Sequence, residues 1–250
     1  MSPTLAQTGE FPLIARLVEG LVQGAAVTVG PGDDGAVLRF EGRVVASTDI
    51  FVEGVHFRRD WSSAADIGRK AVAAATADLE AMGAYPVALL AAVAAPGELA
   101  AEWLEECFQG LRQEAARAGL SLVGGDLSAG RDITLAITVL GETRGGPPVL
   151  RSGAKPGDLV TLRGRLGWAA AGLAALRRGF RSPRAAVQAF QRPTPPYGAG
   201  PAAAGFGASA MIDVSDGLLA DLGQVATASG VIIDLDGARL EIGQPVQDVA

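Results

Sequence analysis

Apolar positions recur at helical spacing in several stretches of this chain and alternate or cluster in short runs between them. Residues 11–21 form an amphipathic segment. Strand-like runs follow at 26–29, 36–40 and 43–48, separated by glycine-rich turns. Residues 50–63 read as a loop, and Ser63 is placed to cap a helix over 64–82. The continuous apolar run at 87–94 suits a buried strand, and helical periodicity returns over 99–118 before turn signals at Gly119. Residues 121–123 and 133–140 then read as strands. The order predicts an α+β domain, a mixed sheet with helices on one face.

Residues 141–157 are rich in glycine and proline and mark a domain boundary, dividing the chain into 1–145 and 146–250. Beyond it, strands are expected at 159–162, 210–214 and 231–235, with helices at 168–178 and 216–228. Arg192-Pro193-Thr194-Pro195-Pro196 is a stiff, extended connector. The second domain is therefore expected to be α/β. It reads as C-terminally incomplete, because no closing helix follows the last strand.

Composition narrows the class. The chain has 250 residues, 49% of them hydrophobic, enough for a full core. Its net charge of −6, with no basic patch, argues against nucleic acid as a partner. Cys107 is the only cysteine, so no intrachain disulfide can form, as expected in a reducing cytoplasm. Its place in a helical pattern suits a packed core thiol. Residues 1–10 lack the basic and apolar regions of a signal peptide, and the longest apolar run, 87–96, is too short to cross a bilayer. A soluble, cytoplasmic protein is expected.

The chemistry lies in aspartates set among glycine, serine and threonine: Gly32-Asp33-Asp34-Gly35, Ser47-Thr48-Asp49, Asp78, Gly124-Gly125-Asp126 and Asp213-Val214-Ser215-Asp216-Gly217. Hard cations such as Mg²⁺ take carboxylate and hydroxyl oxygens and share them with substrate phosphates. Each string also has a plainer explanation. Residues 30–35 match GxGxxG, but two carboxylates there would repel a pyrophosphate, and a strand rather than a helix follows. An acidic hairpin turn is the competing reading. Ser47 and Asp49 share one strand face at a predicted strand end, with Thr48 on the other; taken alone, a simple turn or helix cap explains them better. Gly124-Gly125-Asp126 reads as a loop that a ligand can approach. Ser215 or Asp216 can serve as an ordinary helix N-cap.

Asp78 is more telling. It lies on a stripe with Ala71, Ala75 and Met82, a small apolar face where an unpaired charge is costly. A buried arginine or a metal could satisfy it, and the small neighbours leave room for a hydrated ion. Glu80 falls on another face and reads as solvated. His56 is the only histidine, so zinc is not expected; it is either a substrate contact or a satisfied loop side chain. No GxxxxGK[ST] string or kinase HRD and DFG strings occur.

Taken in order, eight strings resemble the thiamine-monophosphate kinase family, within the superfamily that includes aminoimidazole-ribonucleotide synthetase. They are Gly9-Glu10-Phe11 with Leu13-Ile14-Ala15-Arg16, Gly32-Asp33-Asp34, Ser47-Thr48-Asp49, Gly54-Val55-His56-Phe57, Ala77-Asp78-Leu79 with Ala81-Met82-Gly83-Ala84, Gly124-Gly125-Asp126, residues 151–158, and Asp213-Val214-Ser215-Asp216-Gly217-Leu218. The resemblance implies ATP-dependent phosphorylation of thiamine monophosphate to thiamine diphosphate, with several Mg²⁺ ions. By position, Asp34, Ser47, Thr48, Asp49, Asp78, Asp126, Asp213 and Asp216 would ligate metal. Gly125, Asp126, Arg151 and Ser215 would contact ATP, as would Phe108, which stands near a tyrosine position of the family. His56 would contact the thiamine phosphate, no dedicated catalytic base is expected, and the protein would be a homodimer. The family also carries a later Gly-Gly-Glu-Asp-type motif that this chain ends before. A Mg-nucleotide-binding protein that has lost catalysis, or another ATP-using synthetase of the superfamily, is the rival expectation.

Overall fold

The structure, a computed structural model, describes residues 2–250. The chain divides into two units, one of residues 1–76 and 86–142, the other of residues 77–85 and 143–250.

In the first unit, short helix α1 (Leu5–Thr8) leads into α2 (Glu10–Val18), which buries Leu13 and Leu17. Strands β1 (Val27–Val29) and β2 (Val37–Leu38) form a two-stranded antiparallel ribbon. The main sheet has four strands in the order β3-β6-β4-β5, made from β3 (Arg43–Val52), β4 (Tyr85–Ala95), β5 (Ser121–Ala129) and β6 (Thr134–Thr143). Helices α3 (Ala64–Ala81) and α4 (Ala101–Ala118) complete this part of the chain. One side of the sheet is the core side, with Leu89, Ala91, Val93, Leu135, Ile137 and Val139 buried. On the more open side, β1–β2 covers one end by packing Val27 and Leu38 against a cluster centred on Val87, Ala88 and Val123.

Local sequence explains the helices. Alanine dominates α3, and the Ser63 hydroxyl accepts the Asp66 N–H at 3.2 Å, as expected of a cap. The crossing of α3 and α4 depends on two glycines. A Cβ on Gly68 would lie 1.9 Å from the Cys107 carbonyl oxygen, and one on Gly110 would lie 1.9 Å from that of Ala65. Cys107 is fully buried here, and desolvation pushes its thiol up to about 12, so it is a packed, unreactive core group.

Two sequence expectations need correction in this unit. Ser47-Thr48-Asp49 lies in the middle of β3, which continues to Val52, so residues 50–52 are strand rather than loop. Gly124-Gly125-Asp126 is also strand. β5 pairs parallel with β4, and after a bulge at Leu89/Leu90 the register runs Leu90↔Gly124, Ala91↔Gly125, Ala92↔Asp126. Glycine is used there to keep the ladder close: a Cβ on Gly125 would lie 1.9 Å from the Ala91 carbonyl oxygen.

The second unit contains α5 (Trp168–Arg177), α6 (Arg184–Gln191), α7 (Ala199–Gly205), α8 (Leu218–Ser229) and α9 (Gln244–Gln247). Helices α5 and α6 pack together through Ala171, Ala175, Leu176, Ala186, Val187 and Phe190. Helix α8 packs on a single 3₁₀ turn, Arg151–Gly153. The runs at 159–162, 210–214 and 231–235, expected as strands, form no strand among the described residues. A strand needs a ladder partner as well as an apolar pattern. Without one, Leu159 and Ile232 remain 89% and 96% exposed. The fold class is mixed α/β, with regular sheet confined to the first unit. Among the described residues no helix is long and apolar enough to cross a membrane.

Candidate functional site

The second unit gathers Asp78, Asp213, Asp221 and Arg151. Asp78 comes from the last turns of α3, Asp213 from the segment before α8, Asp221 from the first turn of α8, and Arg151 from the 3₁₀ turn beside that helix. The Asp213 carboxyl is held above the ordinary range by burial first, then by the negative charges of Asp78 and Asp221, against which Arg151 pulls it down. A cation beside Asp213 would favour its ionised form against both the burial and the neighbouring carboxylates. Arg151 is held by Gln224, whose Oε1 accepts from Nη1 at 2.6 Å. The Ser229 hydroxyl fixes its backbone, donating to the Arg151 carbonyl at 2.7 Å and accepting from Ala154 N–H at 3.1 Å. Further along, Asp158 accepts from the Ser209 hydroxyl at 2.6 Å and from Lys155 N–H at 2.9 Å. These bonds hold its carboxyl below the usual range.

The turn before α8 departs from expectation. Neither Ser215 nor Asp216 caps the helix; Gly217 is the N-cap residue and supplies no side-chain bond. Asp221 reaches back instead, its Oδ2 accepting from Ser215 N–H at 2.9 Å and Gly217 N–H at 3.1 Å. Glu80 is the other correction. Far from solvated, it is 7% exposed, and its two oxygens accept from Gly198 N–H at 2.7 Å and Gly200 N–H at 2.8 Å, at the start of α7. From sequence, Asp221 is not singled out, and Glu80 reads only as a solvated side chain. An acidic residue in the first turn of a helix was the available signal for Asp221. Glu80 gave none, since its partners stand 118 and 120 residues away.

The first unit carries the remaining candidates. Asp33 and Asp34 sit exposed in the turn between β1 and β2, where Asp33 accepts from the Asp34 N–H at 2.9 Å. Along β3, Ser47 and Asp49 alternate with Thr48, whose neighbours Val44 and Ile50 are exposed while Val45 and Phe51 are buried. Thr48 thus points to the open side, where its hydroxyl meets that of Thr138 on β6 at 3.0 Å. Asp126 is exposed and shares the side of Ala92, its partner on β4, the same open side of the sheet. His56 is exposed in the turn after β3. Its Nδ1 accepts from Val52 N–H at 3.1 Å, so the neutral ring carries its proton on Nε2, available to donate. Beneath this turn, the Lys70 ammonium donates to the His56 carbonyl at 3.4 Å, and burial lowers its pKa to about 8. Phe108 is nearly buried on α4 and lines a hollow with Arg16, Leu17, Gln109 and Arg112. Among the described residues, no group of three or more His, Cys, Asp or Glu stands close enough to hold a metal by itself.

The chain matches two family profiles in succession, "AIR synthase related protein, N-terminal domain" over residues 32–143 and "AIR synthase related protein, C-terminal domain" over 155–249. It is 49% identical over 240 residues to the thiamine-monophosphate kinase of Mycobacterium tuberculosis, covering 96% of this chain and 72% of that one. The chain belongs to the thiamine-monophosphate kinase family. The family member from Bacillus subtilis is 34% identical over 242 residues, covering 93% of this chain and 74% of its own. Among solved structures, the thiamine-monophosphate kinase of Stenotrophomonas maltophilia superposes with a TM-score of 0.83 at 32% identity, covering 95% of this chain and 76% of that one. A family structure described as AaThiL complexed with AMPPCP and TMP gives 0.69 at 30% identity, covering 89% and 71%. The hydrogenase maturation protein HypE of E. coli, 20% identical with a TM-score of 0.71, shares the fold.

Proposed function

We propose that this chain transfers the terminal phosphoryl group of ATP to thiamine monophosphate, giving thiamine diphosphate and ADP, as a cytoplasmic, Mg²⁺-dependent homodimer. The observation that carries the reading is the half-buried Asp213 carboxyl, near enough to Asp78 and Arg151 to feel both charges, in a chain 49% identical to a thiamine-monophosphate kinase. The substrates follow from the AMPPCP and TMP held by the related AaThiL.

Donor and acceptor are both anions, so the chemistry needs charge neutralised and reactants aligned more than it needs covalent catalysis. The donors that fit a hard cation are the oxygens of Asp34, Ser47, Thr48, Asp49, Asp78, Asp126, Asp213 and Asp216; burial first, and then the charge of Asp78, raises the Asp213 carboxyl, and a bound cation would offset both. Magnesium, when bound, screens the two phosphates from each other and polarises the transferring group. Arg151, held in place by Gln224, offers a fixed guanidinium to the nucleotide phosphates. Gly125 and Asp126 on β5, with Ser215 and Phe108, complete the nucleotide contacts. His56 offers its Nε2–H to the acceptor phosphate. No residue is needed as a base, because a monophosphate oxygen is already ionised near neutral pH, and transfer is direct and in line.

The test is incubation of the purified chain with Mg-ATP, with and without thiamine monophosphate, following ADP and thiamine diphosphate. Equal amounts of both products, formed only when the acceptor is present, are expected. Phosphate from γ-labelled ATP retained on the protein would overturn direct transfer. Mg-ATP binding without acceptor-dependent ADP would favour the nucleotide-binding alternative.

A further inference from the structure

We propose that Asp221 is a positioning residue: its carboxylate holds the turn over residues 215–217 in the shape that presents Ser215 and Asp216 to the metal-bound nucleotide. The inference rests on the functional reading above. Asp221 is 3% exposed, and burying an ionised carboxylate is costly unless strong donors compensate it. Its donors are the N–H groups of Ser215 and Gly217, at 2.9 and 3.1 Å. In return its own N–H donates to the Gly217 carbonyl at 3.0 Å, so turn and helix grip each other from both ends.

An N-cap serine or aspartate ordinarily spends its own side chain on the helix start. Here Gly217 stands at that position, and the bonds at the turn come from within the helix. The side chains of Ser215 and Asp216 are thereby released from capping, which a residue serving a ligand requires. Asp221 also adds to the negative field at Asp213, so one side chain shapes the turn and the charge beside it.

Both bonds end on the same oxygen, Oδ2, and this gives a decisive comparison. An asparagine carbonyl can accept both, an alanine neither, and a glutamate carries the charge one methylene too far. Amide exchange at residues 215 and 217 would be measured in the metal-free chain, together with the Kd for Mg-ATP and the steady-state KM and kcat. Asp221→Ala should speed exchange at both amides and weaken Mg-ATP binding about tenfold. Asp221→Asn should keep the amides protected and hold Kd within about threefold of the parent. Should the alanine variant not fold, Asp221→Glu serves in its place, with the same loss expected. An asparagine variant as impaired as alanine or glutamate overturns the proposal, and so does fast exchange in Asp221→Ala with unchanged Mg-ATP affinity. A parent chain that binds no Mg-ATP would overturn the functional reading itself, a result distinct from normal parent binding with indistinguishable variants.

Discussion

Glu80 and Gly200 are joined across 120 residues of sequence, the Gly200 N–H donating to Glu80 Oε2 at 2.8 Å. The other carboxylate oxygen takes the Gly198 N–H at 2.7 Å, so one side chain satisfies two donors at the start of α7. Removing a buried acceptor leaves its donors to carry the desolvation penalty. Glu80→Ala should lower stability by about 2–4 kcal/mol in urea denaturation. Glu80→Gln should recover little, because its NH₂ would face one of the two N–H groups. This contrasts with Asp221, where a single oxygen takes both bonds. A glutamine variant as stable as the parent would show that the paired acceptors are not needed.

Lys70 gives a pH signature. Burial lowers it from 10.5 to about 8 in the folded chain, so between those values the unfolded chain holds a proton that the folded chain has released. The Lys70 contribution to stability should therefore rise with pH across that window, by up to about 3 kcal/mol at 1.36 kcal/mol per pKa unit. Lys70→Met keeps the packed stem and removes the proton, so the variant should lose this rise and keep only the fall above pH 9 that the buried Cys107 thiol imposes. Parallel curves for parent and variant would assign the rise to another group.

Asp78 contributes to holding Asp213 above the ordinary carboxyl range. Asp78→Asn removes that charge and a hard-cation donor, and should weaken Mg-ATP binding about 10- to 100-fold while the fold persists. Calorimetric titration checks this; unchanged affinity would sink the metal role.

His56 presents its Nε2–H from an exposed turn, with Nδ1 committed to the Val52 N–H. His56→Ala should raise the KM for thiamine monophosphate about tenfold and leave Mg-ATP affinity within about twofold. An equal loss for both ligands would remove His56 from the acceptor side.

Legibility followed the range of each interaction. The apolar stripe on α3 and the Ser63 cap are local patterns, and both could be read from neighbouring residues. Ser47-Thr48-Asp49 and Gly124-Gly125-Asp126 resembled a strand end and a loop because polar and glycine residues usually stop strands. Their strands continue because ladder partners hold them, Ala91 and Ala92 for Gly125 and Asp126. Conversely, 210–214 and 231–235 have strand composition without a partner, and composition alone does not make a ladder. Glu80 looked solvated because its helix face was judged without the distant glycines that cover it. The aspartates were conspicuous by residue type, whereas the side chains that brace them were not.

The two glycines where α3 meets α4 carry a consequence for how this protein can vary. Each lies against a carbonyl of the opposing helix, Gly68 at Cys107 and Gly110 at Ala65, so no side chain fits at either of these two points. Enlarging one position cannot be compensated by shrinking the other, because neither has a side-chain atom to give up. Saturation mutagenesis at residues 68 and 110 should therefore return glycine alone at both.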